Sequence, residues 1–130
     1  MICCHVDENK NTWFSSYYEI AYYDKQDNKL KLIEHNLSEE DVLFGMTEHL
    51  DRLIMPSMSG KFVILNKNTK KATIHLTPNG MKNVIGCKLL IGDDGFYWMS
   101  SNTGIYKFKP GQEGYRLFNK YDGVQSNEFI

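Results

Sequence analysis

The sequence predicts an all-β protein built from four-stranded antiparallel blades of the β-propeller type, repeated about three times. Three observations lead to this prediction: an internal repeat, four strand-like segments in each repeat, and residue pairs that are apolar on both strand faces. We therefore expect a single partial propeller over residues 1–130, with repeats at about 1–36, 37–80 and 81–121. Residues 122–130 are expected to begin a further blade.

The repeat is anchored on Trp13 and Trp98, whose flanking sequences align without a gap. A more diverged copy lies between them, with Ile54 in the position of the tryptophan. The anchors are 41 and 44 residues apart, a period typical of propeller blades. The middle copy contains one extra residue before Asn66, for which we predict a β-bulge.

Four short strands separated by turn residues are predicted in each copy. In the first copy they are Ile2–Val6, Thr12–Ser16, Ile20–Asp24 and Leu30–Ile33. The turn residues Asp24, Asn66 and Lys109 each precede the start of a strand by six positions, at Leu30, Ala72 and Tyr115. Gly95 and Gly104 are assigned to turns that need positive φ.

The pairs Trp13-Phe14, Ile54-Met55 and Trp98-Met99 are apolar at adjacent positions, so they place apolar side chains on both faces of a strand. A sheet covered on both faces by neighbouring blades would need such pairs. We therefore predict Trp13, Ile54 and Trp98 as structural residues, with Trp98 filling the gap between blades. The serines that follow are expected where each strand meets its turn.

The composition restricts the classes of function that the chain could have. Aromatic residues make up 13% of the chain, which favours strands, and the net charge of −1 offers no basic surface for nucleic acid. The segments 38–41 (SEED) and 67–71 (KNTKK) are predicted to be solvated loops, although Ser38 could also cap a helical turn. No apolar run is long enough to insert in a membrane, and the N-terminus lacks a signal peptide's features. The chain is thus expected to be a mature or excised segment, or a cytosolic protein.

Residue types that usually carry chemistry are scattered. The odd number of cysteines excludes a full disulfide framework, and Cys3, Cys4 and Cys87 are predicted to be small apolar fillers of undetermined redox state. The four histidines lack metal-ligand spacing, and 92–95 (GDDG) lacks the alternating ligands of a calcium loop. No nucleophile elbow or phosphate loop is present. We predict no catalytic residue, metal or cofactor.

Two segments carry a family resemblance. The sequence LLIGDDGFYWMSSNTGIYKFKP resembles the two-component regulator propeller repeat, and YDGVQSNEF at 121–129 is similar to the segment that precedes the last blade in such sensors. The resemblance is strong in the third copy, moderate in the first and faint in the second. The first copy carries Lys10 and Glu19 in place of turn glycines, so those turns are expected to be looser or differently shaped.

The resemblance implies part of the periplasmic sensor region of a bacterial hybrid histidine kinase. The kinase itself is absent from this chain, so the chain is expected to be a non-catalytic segment that senses an oligosaccharide or other small ligand. Two alternatives stay open: a protein–protein interaction scaffold, or a propeller enzyme such as a lyase or a glycan-cleaving enzyme.

Blade topology predicts where a ligand would bind. In an up-and-down blade, the turns between the second and third strands lie at the same end as the links between blades. The candidate binding residues at this end are Tyr17, Tyr18, Glu19, Met58, Asn102 and Thr103, with the links 34–41, 77–83 and 119–125. Adjacent tyrosines suit sugar or peptide binding, but strand-end packing explains them slightly better.

Three blades do not close a ring, because known propellers use about four to eight. Two blade faces would therefore be left without a partner, and exposed apolar faces of that size mark interfaces. We expect the chain to associate with itself through these faces.

Overall fold

The computed structural model describes residues 2–78, 81 and 86–119, which form three four-stranded antiparallel sheets. Blade 1 contains β1 (Ile2–Val6), β2 (Thr12–Ser16), β3 (Glu19–Asp24) and β4 (Lys29–Leu32). Blade 2 contains β5 (Thr47–His49), β6 (Arg52–Pro56), β7 (Lys61–Asn66) and β8 (Lys71–Leu76). Blade 3 contains β9 (Gly86–Ile91), β10 (Tyr97–Ser101), β11 (Gly104–Phe108) and β12 (Tyr115–Phe118). The predicted all-β class and blade composition are confirmed.

The four strands predicted in blade 1 are all found, with bounds that differ by at most one residue. Side-chain caps explain why the third and fourth strands are placed so regularly. Asp24 Oδ1 accepts a hydrogen bond from Gln26 N at 2.9 Å, and Asn66 Oδ1 accepts one from Asn68 N at 2.9 Å. These short polar side chains close the same turn in blades 1 and 2.

The extra residue of the middle copy lies in a turn. Strands β6 and β7 pair without interruption from Arg52 opposite Asn66 to Pro56 opposite Phe62, so no bulge lies within these paired residues. Two residues separate the paired Ser16 and Glu19 in blade 1, whereas the corresponding turn of blade 2 is longer and contains Gly60 with a φ of 75°. A turn accepts an added residue without breaking ladder hydrogen bonds, whereas a strand does not.

Each blade has a front face, which points toward the next blade in sequence, and a back face. The front of blade 1 packs on the back of blade 2 at the first seam, where Trp13, Leu53 and Met55 are buried. The front of blade 2 packs on the back of blade 3 at the second seam, where Ile54, Tyr97 and Met99 are buried. Ile54 and Met55 are both completely buried on opposite faces, as the apolar pair predicted.

Trp98 does not lie between two described blades, so its predicted role of filling a gap between blades stays a prediction. The residue occupies the position of Trp13, but it lies on the front of blade 3, where it is only partly buried. Its ring stacks on Phe118 with a centroid distance of 5.6 Å, and Lys107 Nζ lies 5.0 Å from its centroid. The front of the last described blade has no further described blade against it, so Trp98 packs within its own sheet.

The turn glycines adopt the predicted conformation, with φ values of 85° at Gly95 and 137° at Gly104. Lys10 reaches a φ of 67° in the turn that corresponds to that of Gly95. The same pair of backbone hydrogen bonds closes both turns, so the expectation of a different shape at Lys10 is wrong. The expectation of a different shape is correct for the turn at Glu19, where the residue with positive φ is Tyr17, at 53°.

The cysteines differ in their surroundings. Cys3 packs against the core of the first seam, as expected of an apolar filler, but Cys4 is exposed on the back of blade 1 and fills nothing. The side chain of Cys87 and residues 120–130 lie outside the described residues. No helix long and apolar enough to cross a bilayer occurs in the part of the chain that is described.

Candidate functional site

The link end of the molecule contains the β2–β3, β6–β7 and β10–β11 turns together with the links between blades. In blades 1 and 2 backbone hydrogen bonds tie these parts together. Leu43 N donates to Tyr17 O at 2.7 Å, and Met58 N donates to Val42 O at 2.9 Å. The link that follows blade 1 therefore connects two of the three turns in which candidate binding residues were predicted.

Tyr17 and Tyr18 have different environments. Tyr17 is 58% exposed at the tip of its turn, whereas Tyr18 packs against the core of the first seam. Met58, in the neighbouring turn, is 42% exposed. Tyr17 and Met58 are thus available to a ligand, whereas Tyr18 fits the alternative of strand-end packing.

The third turn, in blade 3, is held by its own hydroxyl groups. Ser101 Oγ donates to Gly104 O at 2.8 Å and accepts from Thr103 N at 3.2 Å. The Thr103 and Tyr106 hydroxyl oxygens lie 3.0 Å apart. Thr103 is exposed, but its hydroxyl already contacts those of Ser101 and Tyr106, and Asn102 is half-buried.

An open groove of about 970 Å³ lies at the outer rim of the first seam, between β3–β4 of blade 1 and β8 of blade 2. Ile20, Ile33 and Ile74 form its apolar floor. Its polar rim is formed by Glu19, Glu34, His35 and Asn36. The groove thus brings Glu19, a predicted site residue, next to the predicted link 34–41.

The groove rim offers both donors and acceptors. His35 Nδ1 accepts a hydrogen bond from Leu37 N at 3.1 Å, so in the neutral ring the proton is on Nε2. The carboxylates of Glu19 and Glu34 are acceptors, and the Asn36 amide offers both functions. An apolar floor with such a rim suits a ligand that carries several hydroxyl groups.

Beneath the link end lies a buried carboxylate. Asp41 is 2% exposed, so the prediction of a solvated loop at 38–41 is wrong for this residue, whereas residues 38–40 are exposed. Its Oδ2 accepts from Ser38 N at 2.9 Å, its Oδ1 accepts from the Ser59 hydroxyl, and Lys61 Nζ lies 3.2 Å from Oδ1. Burial raises the pKa of Asp41, but these hydrogen bonds outweigh it and hold the pKa at about 2. The carboxylate fixes the link to the β6–β7 turn.

A second charged network crosses the first seam at the opposite end. Glu48 Oε1 lies 2.9 Å from His5 Nε2, and Glu48 Oε2 lies 2.7 Å from Lys67 Nζ. The Lys67 side chain is only 4% exposed, so the prediction of a solvated turn at 67–71 is wrong for this residue. Burial raises the pKa of Glu48, but the hydrogen bonds from Lys67, His5 and Glu8 N bring it down to about 2.

A third buried carboxylate supports Trp13. Asp7 Oδ2 accepts from Trp13 Nε1 at 2.9 Å, and its Oδ1 accepts from Asn9 N and Asn11 N, both at 2.9 Å. Burial raises the pKa of Asp7, but these bonds leave it below its usual value. The indole is thereby held in the first seam with its polar atom satisfied.

Sequence reasoning missed the three carboxylate networks. Their partners are up to 43 residues apart, and no spacing rule links His5 to Glu48. Within residues 2–78, 81 and 86–119, no group of three histidine, cysteine, aspartate or glutamate side chains is placed to hold a metal ion. The networks hold loops and blades together, and the open groove remains the candidate binding site.

Neither models of known protein families nor curated proteins match this chain. Solved propeller structures do match it. The chain is 16% identical to streptogramin B lyase, with a TM-score of 0.67, over 89% of this chain and 39% of that one. It is 10% identical to the extracellular domain assigned to a one-component system of B. thetaiotaomicron, with a TM-score of 0.75, over 96% of this chain and 18% of that one. At these identities the likeness shows the propeller-type fold, and the chain spans less than half of either structure.

Proposed function

We propose that this chain is a non-catalytic, ligand-binding segment of an extracytoplasmic sensor of the two-component regulator propeller type. The observation that carries the proposal is the groove at the first seam, with its apolar floor and polar rim. The motif resemblance in the third blade and the fold likeness to an extracellular domain support the assignment to a sensor. In this role the chain binds a ligand, and a kinase elsewhere in the system produces the output.

The proposed ligand is an oligosaccharide. Sugars present hydroxyl groups around an apolar ring face, and the groove pairs the isoleucine floor with the carboxylates of Glu19 and Glu34. Carboxylates accept hydrogen bonds from hydroxyl pairs, and charge-assisted bonds of this kind are among the stronger ones. Exposed Tyr17, in the turn that precedes Glu19, offers an aromatic surface.

A second candidate function is a propeller lyase, which the fold likeness to streptogramin B lyase brings into consideration. Such an enzyme would need an acid or base that reaches a bound substrate. The groove rim contains His35 and two carboxylates, so turnover has to be measured along with binding.

Calorimetry with a panel of neutral and acidic oligosaccharides, followed by product analysis of the same mixtures, tests the proposal. We expect saturable binding without turnover. Glu34→Gln should raise the Kd about tenfold or more, because a charge-assisted hydrogen bond contributes roughly 1.5–3 kcal/mol. The matched control is Glu40→Gln, an exposed glutamate on the same link outside the groove.

Each outcome decides the proposal. Binding that Glu34→Gln weakens and Glu40→Gln does not would support the groove. Equal effects of the two variants would mean that the ligand binds outside the groove. Absence of binding across the panel would rule out an oligosaccharide as the ligand. Product formation that His35→Gln abolishes would favour the lyase instead.

A further inference from the structure

The back face of blade 1 is apolar, and no other described blade packs against it. Its paired rows include Cys4, Phe14, Ala21 and Leu32 on one line across the sheet. Four of its aliphatic side chains are more than half exposed: Ile2 at 70%, Val6 at 59%, Leu30 at 62% and Leu32 at 69%. Most of the large exposed apolar residues of blade 1 are thus on one surface, a pattern that marks an interface.

This face repeats the buried back face of blade 2. In blade 1 the paired row is Phe14, Ala21 and Leu32, and in blade 2 it is Met55, Val63 and Ile74. The blade 2 row packs against the front of blade 1 in the first seam. The surface chemistry of blade 1 therefore fits the front face of a blade as its partner.

The chain itself carries a front face, on blade 3, against which no other described blade packs. Trp98, Ile105 and Phe118 lie on it, and Leu90 is 56% exposed beside Trp98. Lys107 Nζ lies 4.6 Å from the ring centroid of Phe96, so this cation already covers aromatic surface. The two uncovered faces are of opposite kinds, one front and one back.

The inner strands show how these two faces match. In the first seam the front residue His5 meets the back residue Glu48 at 2.9 Å. The register puts Leu90 of blade 3 in the position of His5, opposite the anchor tryptophan. Val6 of blade 1 occupies the position of Glu48. A contact between the uncovered faces would thus pair leucine with valine where the first seam pairs histidine with glutamate.

A second position matches in charge. In the first seam Lys70 Nζ lies 5.0 Å from the ring centroid of Tyr22. Lys107 occupies the position of Tyr22, opposite the anchor tryptophan. Asn28 occupies the position of Lys70 and has a similar φ, 54° against 59°. The lysine of one face therefore meets an asparagine and not a second lysine.

We propose that two copies of this chain associate head to tail, with the front of blade 3 in one copy packed on the back of blade 1 in the other. Both contacts of the pair are then the same, and two copies of three sheets make a ring of six blades. A head-to-tail contact closes only when the rotation per subunit allows it, and six is within the number of blades that known propellers use.

Light scattering coupled to size exclusion, over a hundredfold range of concentration, tests the ring. We expect a closed dimer of twice the 15.1 kDa chain mass. Val6→Glu should raise the dimer dissociation constant about tenfold or more, because it buries an unpaired charge. Leu90→Lys added to Val6→Glu should restore the dimer, since it puts a cation opposite the new carboxylate, at the position where His5 meets Glu48 in the first seam.

The control is Leu76→Glu, which places the same charge at a residue that is 76% exposed on blade 2 and away from both faces. Circular dichroism confirms that each variant keeps its strands. A chain that stays at 15.1 kDa throughout would overturn the proposal. Loss of the dimer by Val6→Glu without rescue would indicate a contact between two blade 1 faces, and open polymers would exclude the ring. Either result would contradict the head-to-tail arrangement.

Discussion

The two seams of the molecule differ in the apolar and charged contacts that hold them together. The first seam has an aliphatic core around Trp13, with the Glu48 network at one end and Asp41 beneath the link at the other. The second seam is aromatic, and Phe62, Tyr97 and Phe108 have ring centroids within 6 Å of one another. Its polar contact is the Thr47 hydroxyl, which donates to Leu89 O.

The apolar contacts of the two seams contribute mainly to stability, and the charged contacts of the first seam contribute mainly to specificity. Aromatic and aliphatic contacts stabilise both seams through buried area. Buried ion pairs add little net stability but are costly to break, because one charge is then left without a partner. The first seam should therefore respond to charge substitutions and to the protonation of its carboxylates, and the second to changes in volume and to the protonation of His75.

The largest expected effect concerns the two tryptophans. Trp13→Ala should cost about 3–5 kcal/mol of unfolding free energy, since it opens a cavity in the first seam and leaves Asp7 without its indole partner. Trp98→Ala should cost less, roughly 1–2 kcal/mol, because Trp98 is partly exposed on the front of blade 3.

Urea unfolding in the Val6→Glu background, where association is suppressed, measures both values. Trp13→Phe is the control that keeps an aromatic ring in the seam while it removes the indole hydrogen bond and part of the ring volume. Equal costs for Trp13→Ala and Trp98→Ala would mean that both residues are covered in the folded chain, contrary to the description of blade 3.

The next effect is a difference in pH dependence. Burial lowers the pKa of His75, which stacks on Phe62 in the second seam, so its contribution is present above its ordinary value of 6.5 and is lost as the pH falls below it. The pKa of Glu48 is lowered from 4.5 to about 2, so its contribution is lost as the pH falls from about 4.5 to about 2. The Glu48 step should be roughly 1–3 kcal/mol.

Unfolding free energies measured at closely spaced pH values should show both windows. His75→Asn should remove the upper one and leave the lower one. Glu48→Gln should reduce the lower one without removing it, because the pKa of Asp41 is also about 2 and that of Asp7 is also lowered. A single window that neither variant changes would contradict the assignment of these groups to separate seams.

The smallest expected effect on stability concerns two buried serines. Ser15 Oγ is buried in the first seam and finds no hydrogen-bond partner among the described residues, so Ser15→Ala should stabilise the chain by about 1 kcal/mol. Ser101 Oγ holds the β10–β11 turn at the edge of the second seam, so Ser101→Ala should cost about 1–3 kcal/mol. Thermal unfolding of the two variants tests both predictions. A loss of stability in Ser15→Ala would mean that the Ser15 hydroxyl has a hydrogen-bond partner.

The repeat predicted most of the fold because local rules determine it. Asp24 and Asn66 close their turns with their own side chains, and the apolar pair Ile54-Met55 predicted a sheet covered on both sides. The extra residue in the middle copy was misplaced because length alone does not distinguish a bulge from a longer turn.

The candidate site was predicted only in part. Topology placed Tyr17 and Glu19 at the link end, but the groove also depends on how far β8 lies from β4, which no local rule supplies. Lys67 and Asp41 were predicted in solvated loops because charged residues in turns usually are. Their burial depends on partners in distant segments, Glu48 for Lys67 and Ser38 with Ser59 for Asp41.

The His5–Glu48 pair has a consequence for folding. Three blades of similar shape could stack in the wrong order while the chain collapses, and hydrophobic contacts alone would tolerate the error. If the front of blade 1 met the back of blade 3, His5 would face Ile91, which occupies the position of Glu48. Glu48 would then lose His5, and its contact with Lys67, which lies within blade 2, would no longer be joined to blade 1 through that histidine. The polar contact between His5 and Glu48 on the inner strands thus favours the correct neighbour of blade 1 over the wrong one during folding.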